Sequence, residues 1–403
     1  MHRSDRDSLT LIAPEQVSIP FVLMRGGTSK ALFLRSDVLP ASDQARDAFI
    51  LSLFGSPDPR QIDGLGGADL LTSKLAIIGP STRPDADLDY TFAQVSITEP
   101  VVDFDINCGN ISAAVGAFAI DEGLVSVTEP VTTVRVHNTN TGRVLLAHVP
   151  IVDGVAGVEG DYMVHGVPGT GASIALDFAQ TAGGITGSLL PTGNESDTVN
   201  TPFGPVEITI VDLANLTVFF RADAIGLKGT EGPAEFTDEH LAAVSEVKAA
   251  SARLLGMPDD GLIPVPALVS EPASYTSYAS GDRIDASQVD VVARVVGGRP
   301  PVLHKAYPGT LAACTGVAAC IEGTTVSAVA RPDRAVPDQV IIGHTSGVMP
   351  VRASVTRSAT GEAGPWDVSE ATYHRTARRI AEGNAFIRTS TLVASSDMDG
   401  SST

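Results

Sequence analysis

Cys108 stands in the run Asn107-Cys108-Gly109-Asn110, directly ahead of the small apolar stretch Ile111–Ile120. A thiol at the head of a helix feels the positive end of the helix dipole and several backbone N–H groups that have no partner within the helix. Both favour the thiolate, so the residue can act as base or nucleophile near neutral pH. The same N–H groups can seat a carboxylate, and Gly109 lets a ligand come close to the backbone. A buried structural thiol is the ordinary fate of an unbridged cysteine. That reading suits Cys314 and Cys320, which fall inside a second apolar stretch.

Lysine is rare: Lys30, Lys74, Lys228, Lys248 and Lys305 are all the chain has, and two of them close Thr-Ser-Lys triplets at 28–30 and 72–74. Lys74, next to Ser73, opens the strand-like run Leu75–Ile78. It can be an end-cap whose stem lies along apolar surface, or a general base if desolvated. The loop Met24-Arg25-Gly26-Gly27-Thr28-Ser29-Lys30 offers a guanidinium fork at Arg25, hydroxyls at Thr28 and Ser29, and an ammonium. That set suits a carboxylate, and the spacing is not that of a P-loop. Ser346, in His344-Thr345-Ser346-Gly347, is a further candidate ligand contact or a plain Ser-Gly turn. The eight histidines, His137, His304 and His344 among them, form no metal-ligand spacing, so no metal is expected. Gly169-Thr170-Gly171 lacks the rest of a dinucleotide fingerprint, so no such cofactor is expected either.

These groups must be positioned by many short β-type runs bounded by Gly, Pro, Asn and Asp, such as Thr91–Ile97, Thr133–Asn138, Val206–Val211, Val289–Val296 and Val351–Thr356. Surface helices are predicted over Ser42–Leu53 and Asp238–Leu255, the latter with cap signals at Thr237 and Gly256. Residues 110–121 and 310–321 are small and apolar all round, the pattern of buried helices. At an offset of 200, Ala113, Gly116, Ala119, Glu122 and Gly123 meet Ala313, Gly316, Ala319, Glu322 and Gly323. Each segment is followed by a strand-like run, Leu124–Val127 and Thr324–Val329. The pattern predicts a duplicated unit in which strands wrap a buried helix. Cys108 then meets Pro308, so only one copy carries the thiol. The expected class is α+β, with one domain over 17–188 and a second over 189–394, loose tails at 1–16 and 395–403, and surface loops over 256–287.

A formal net charge of −20 disfavours nucleic-acid and anionic-membrane partners, but a local pocket can still be positive. Apolar residues at 43 % with few aromatics call for a core of Val, Ile, Leu and Ala. Three cysteines without metal spacing indicate a reducing compartment. With no apolar leader and no membrane-length run, the expectation is a cytoplasmic protein.

Taken together these motifs, with Ile62-Asp63-Gly64-Leu65-Gly66-Gly67-Ala68 and Leu190-Pro191-Thr192-Gly193-Asn194, resemble the PrpF family of cofactor-independent isomerases, related to diaminopimelate epimerase and proline racemase. The resemblance covers about residues 17–390. It implies two pseudo-symmetric domains, each a curved mixed sheet round a central helix, with the active site in the cleft between them. It implies proton movement along an allylic system, with double-bond migration or cis–trans isomerisation, in a small anionic unsaturated polycarboxylate such as aconitate, 2-methylaconitate or 4-oxalomesaconate, with the residues matching Lys74 and Cys108 as the acid–base pair. The chain departs from the family pattern at Ala31, Thr345 and the Tyr307-Pro308 start of the second helix. The substrate contacts expected are Arg25, Thr28, Ser29, Ser73, Gly109, Asn110, Gly309, Thr310 and Ser346. For the assembly, the general prior points to a symmetric homodimer or a monomer. The alternatives are an amino- or hydroxy-acid epimerase or racemase and a non-catalytic partner of an aconitase-type enzyme.

Overall fold

A computed structural model describes residues 10–13, 15–105, 108–358 and 366–393. Asn107 and the tail 395–403 lie outside the described residues, as do residues 1–9. The stretch Thr10–Ala13, expected in the loose leader, is a strand that pairs antiparallel with Gln16–Ser18.

The β-branched runs assemble a mixed α+β fold with a large curved sheet of mixed strand direction and few helices. The strand Gln16–Gly26 turns at Gly27 and Thr28 into Ser29–Arg35, which runs parallel to Lys74–Pro80. A parallel pair needs a crossover, and helix α1, Asp43–Phe54, supplies it. Ser42 caps its start through the Ala45 N–H at 3.3 Å, and Gly55 ends it in the left-handed region. The ladder continues antiparallel to Leu88–Val95, which is parallel to Val131–Asn138, itself antiparallel to Arg143–Val152. Between the last two parallel strands the chain forms helix α2, Gly109–Asp121, buried from Gly109 to Ile120.

The same order of pairings then recurs. The hairpin Gly204–Leu213 and Asn215–Arg221 leads through helix α3, Asp238–Leu254, to the parallel strand Val265–Ser270. That strand is antiparallel to Val291–Gly297, which is parallel to Gln339–His344, itself antiparallel to Gly347–Arg357. Helix α4, Gly309–Cys320, occupies the place of α2 and is buried from Gly309 to Ala319. Two closing strands tie the sets together. Trp366–Arg375 bridges Gly347–Arg357 and Ile174–Asp177, while Ala377–Arg388 returns to pair with Gln16–Gly26 along its whole length. No helix among the described residues is long and apolar enough to cross a membrane.

Three local expectations are corrected. Thr324–Val329 is not a strand. Residues Thr325–Val329 form the short helix α5, because the Thr324 hydroxyl accepts the Ser327 N–H at 3.0 Å and starts a helical turn. Leu124–Val127 takes no regular structure. The stretch 256–287, expected as surface loops, contains the buried strand Val265–Ser270, whose apolar side chains outweigh the missing N–H of Pro266.

Candidate active site

Lys74 begins its strand beside Gln94 of the neighbouring strand. This register places the Lys74 Nζ 2.8 Å from the Gln94 Oε1, to which it donates. Gln94 is held in turn by donating its Nε2 to the Ser73 carbonyl at 2.9 Å. The Nζ lies 5.1 Å from the Phe92 ring centroid. The ammonium is buried, and among the described residues no carboxylate pairs with it. The partner of the Lys74 nitrogen is thus a neutral amide and not an ion pair.

Cys108 is the residue that caps α2, in extended backbone with φ −126°. Its carbonyl accepts both the N–H and the hydroxyl of Ser112, at 2.9 and 3.1 Å. Its side chain borders the same cavity as Lys74, a space of about 250 Å³ also lined by Ser29, Asn110, Asn215 and His304. The Ser29 hydroxyl is buried and has no hydrogen-bond partner among the described groups, so it is available to a ligand. Pro308, which caps α4, lines the cavity too.

The starts of the two buried helices converge here. A Cβ on Gly109 would lie 2.8 Å from the Thr310 N and 2.0 Å from the Tyr373 Oη. A Cβ on Gly309 would lie 2.3 Å from the Tyr373 Cζ. Glycine is required at both first helical positions because one buried tyrosine fills the wedge between them. Two helix N-termini aimed at one small volume supply N–H donors and positive potential for an anion.

Cations missed by sequence reasoning add to this field. Lys248 of α3 and Arg299 line the cavity, against the single acid Asp260. Lys248 sits on what reads as a surface helix, and only the rarity of lysine marked it. His304 lies near Lys74. Burial, and then the Lys74 charge, push it down to about 4, so it is neutral at neutral pH. Across the adjoining cleft Lys305 pairs with Asp69 at 2.5 Å.

Several sequence-predicted contacts are placed elsewhere. The Arg25 guanidinium donates to the carbonyls of Gly27 and Thr376, both at 2.9 Å, and braces the turn instead of facing the cavity. The Ser73 hydroxyl donates to the Gln61 Oε1 at 2.7 Å. The Ser346 hydroxyl donates to the Lys305 carbonyl. The Ser73 and Ser346 hydroxyls have each spent their donor on the fold, and one Nη of Arg25 is taken up by the turn it braces. Thr310 accepts from the Asn215 Nδ2 at 3.1 Å, and Thr28 accepts from the Asn110 Nδ2 at 3.0 Å. Gly109 and Gly309 contribute backbone only.

Comparison with known proteins places this chain among isomerases. The PrpF protein family model matches residues 16–388. A 3-methylitaconate isomerase of Eubacterium barkeri is 48 % identical, covering 94 % of this chain and 100 % of the relative. A 2-methyl-aconitate isomerase of Shewanella oneidensis is 38 % identical over 93 % and 98 % of the two chains. A 4-oxalomesaconate tautomerase of Pseudomonas putida is 38 % identical over 84 % and 90 %. Among solved structures, a methylitaconate-delta-isomerase matches with TM-score 0.76 at 48 % identity, over 94 % of this chain and 97 % of that one. A hydroxyproline epimerase of Agrobacterium vitis shares the fold, with TM-score 0.57 at 12 % identity, over 92 % and 93 %.

Proposed function

This chain belongs to the PrpF family and is an isomerase; from that premise we propose that it moves a double bond within a small unsaturated polycarboxylate, using Lys74 and Cys108 as the acid–base pair. The observation that carries this reading is the shared cavity: a lysine with no carboxylate partner among the described residues and a cysteine at a helix start face one space. The names of the relatives fit it, since they act on methylitaconate, methylaconitate or oxalomesaconate.

In the proposed reaction the neutral Lys74 amine removes a proton from an sp³ carbon flanked by the double bond and a carboxylate. The C–H electrons enter the allylic system, and negative charge spreads onto the carboxylate oxygens. Donors already aimed at that position stabilise the charge without reorganising; here these are the N–H groups at the start of α2 and α4 and the Ser29 hydroxyl. The Cys108 thiol then protonates the far allylic carbon, and the double bond has moved. Return of one proton from the ammonium to the thiolate restores the pair. The reverse reaction exchanges the two roles.

We read the fold as two pseudo-symmetric units, 17–188 and 189–394, each wrapped round its own buried helix, with Ala377–Arg388 crossing back to the first. The repeated order of pairings supports this, as do helices that start 200 residues apart. The caps Cys108 and Pro308 make the pair unequal. A racemase with one thiol from each unit would need a second cysteine at 308, so the lysine–thiol pair is favoured over it.

Proton NMR of the purified protein in D₂O with methylitaconate, aconitate, 2-methylaconitate and oxalomesaconate tests the reading. One acid should undergo double-bond migration with deuterium entering at the allylic carbon. Lys74→Met and Cys108→Ser should each slow it by about 10²–10⁴-fold. Wild-type rates in both variants, or exchange at a stereocentre without migration, would overturn it.

A further inference from the structure

Arg375, at the end of the strand Trp366–Arg375, is 3 % exposed, and no Asp or Glu among the described residues forms an ion pair with it. Its Nε donates to the Asn110 Oδ1 at 2.9 Å, and one Nη donates to the His374 carbonyl at 2.9 Å. The other Nη faces the Met349 Sδ at 2.7 Å, a weak acceptor. The guanidinium lies 4.9 Å from the Tyr373 ring centroid. Burying a guanidinium without an anion is strongly unfavourable, so this cation has unspent capacity.

The guanidinium borders a second cavity, of about 220 Å³. Asn110 stands between the two spaces. It lines the first, and it bonds to Thr28 and Arg375, which line the second. Among the described residues, the lining of the second cavity contains no carboxylate. Besides Arg375 its polar lining residues are Thr28, His165, His344, Tyr162 and Tyr307, whose phenol is bonded to the Thr315 hydroxyl at 2.8 Å. Burial lowers both histidines, His344 well below the ordinary range. They therefore serve as neutral hydrogen-bonding groups round a single cation. A planar fork with no acid opposite it matches a carboxylate.

We propose that this second cavity is a carboxylate subsite anchored by Arg375, separated by Asn110 from the space that holds Lys74 and Cys108. It takes the carboxylate of a small aliphatic acid. That carboxylate belongs either to the reacting polycarboxylate or to a separate dicarboxylate. The proposal rests on charge and burial and does not depend on the isomerase chemistry.

Succinate is a suitable probe, because it carries no double bond to move. Calorimetry would use the full chain with Lys74→Met as parent, so that the first cavity has lost its lysine. Succinate should still bind this parent. Adding Arg375→Gln should weaken binding by at least about tenfold. Adding His165→Glu instead keeps the cation but places a competing carboxylate in the cavity lining, and should weaken binding similarly, which preserves the test should the arginine variant misfold. In the otherwise wild-type enzyme, competitive inhibition by succinate with a raised KM in Arg375→Gln assigns the site to the substrate. Non-competitive inhibition assigns it to a separate ligand. Either pattern supports the subsite. Loss of succinate binding in Lys74→Met alone would overturn it, as would unchanged binding in folded Arg375→Gln or His165→Glu.

Discussion

Gly109→Ala should reveal how tightly Tyr373 locks the two helix starts together. The added Cβ would sit 2.0 Å from the Tyr373 Oη, so the contact has to open by at least about 1 Å. The ring has nowhere to go. It is fully buried, stacks on Phe178 at 5.5 Å between centroids and 6° between planes, and meets Arg375 and Gly309 on other sides. The start of α2 must therefore give way. Overpacking of this kind costs about 1–3 kcal/mol. A shift of about 1 Å next to Cys108 should also lower turnover by roughly 10²-fold. The Tyr373 hydroxyl has no hydrogen-bond partner among the described groups, so Tyr373→Phe alone should change stability by less than about 1 kcal/mol. In the Tyr373→Phe background the nearest remaining obstacle to the Gly109 Cβ is the Thr310 N at 2.8 Å. The cost of Gly109→Ala should then fall, giving a coupling of about 1 kcal/mol or more. Gly309→Ala is the control. Its Cβ meets the ring carbons Cζ and Cε2 at 2.3 and 2.4 Å, so removing the hydroxyl should not rescue it. Urea unfolding of the six proteins measures all of this. Equal rescue at both glycines, or a Gly109→Ala variant as stable as wild type, would refute the wedge.

Gln94→Glu places a carboxylate 2.8 Å from the Lys74 Nζ and should hold the proton on the amine. Initial rates at neutral pH are expected to fall by about 10–100-fold with an unchanged melting curve; full activity would show that Lys74 need not be neutral. His304 provides a pH test. Its folded value near 4, lowered by burial and then by Lys74, lies below the ordinary 6.5. Between these values the unfolded chain binds more protons, so this residue makes stability rise with pH and fall on acidification from 6.5 towards 4. Chemical denaturation across that window should show a shallower slope in His304→Gln, and an identical slope would count against the assignment.

The start of α2 could be read without tertiary information. A small-residue apolar run with no polar face is a buried helix, and Cys108 with Gly109 marks where it begins. The run at 310–321 gave its counterpart, α4, by the same argument. The cap of α3 at Thr237 was equally local, since the side chain at a helix start either reaches the backbone N–H two or three residues further on or does not. Thr324 followed the same rule, but the β-branched residues after it masked the signal. Val265–Ser270 was missed because its prolines resemble loop punctuation, whereas its place between two partner strands is a property of the sheet.

Arg25 and Arg375 mark the limit. By composition alone Arg25, in a loop of glycines and hydroxyls, is the better carboxylate ligand. One Nη of its guanidinium is held by the carbonyls of Gly27 and Thr376, the latter 351 residues away, and Arg25 is not among the residues that line the Lys74–Cys108 cavity. Arg375 sits in an ordinary strand pattern and carries no local signal, yet it is a buried cation beside a cavity that no acid among the described residues lines. The sequence by itself determined where helices start, which of the two buried helices bears a thiol, and that lysine is scarce enough for Lys74 to stand out. Those are properties of neighbours along the chain. Only the tertiary structure decided that Lys74 and Cys108 share one cavity, that Tyr373 wedges both helix starts, and which cations remain unpaired. Coulombic and hydrogen-bond partnership depends on distance through space, and strand pairing across hundreds of residues sets that distance.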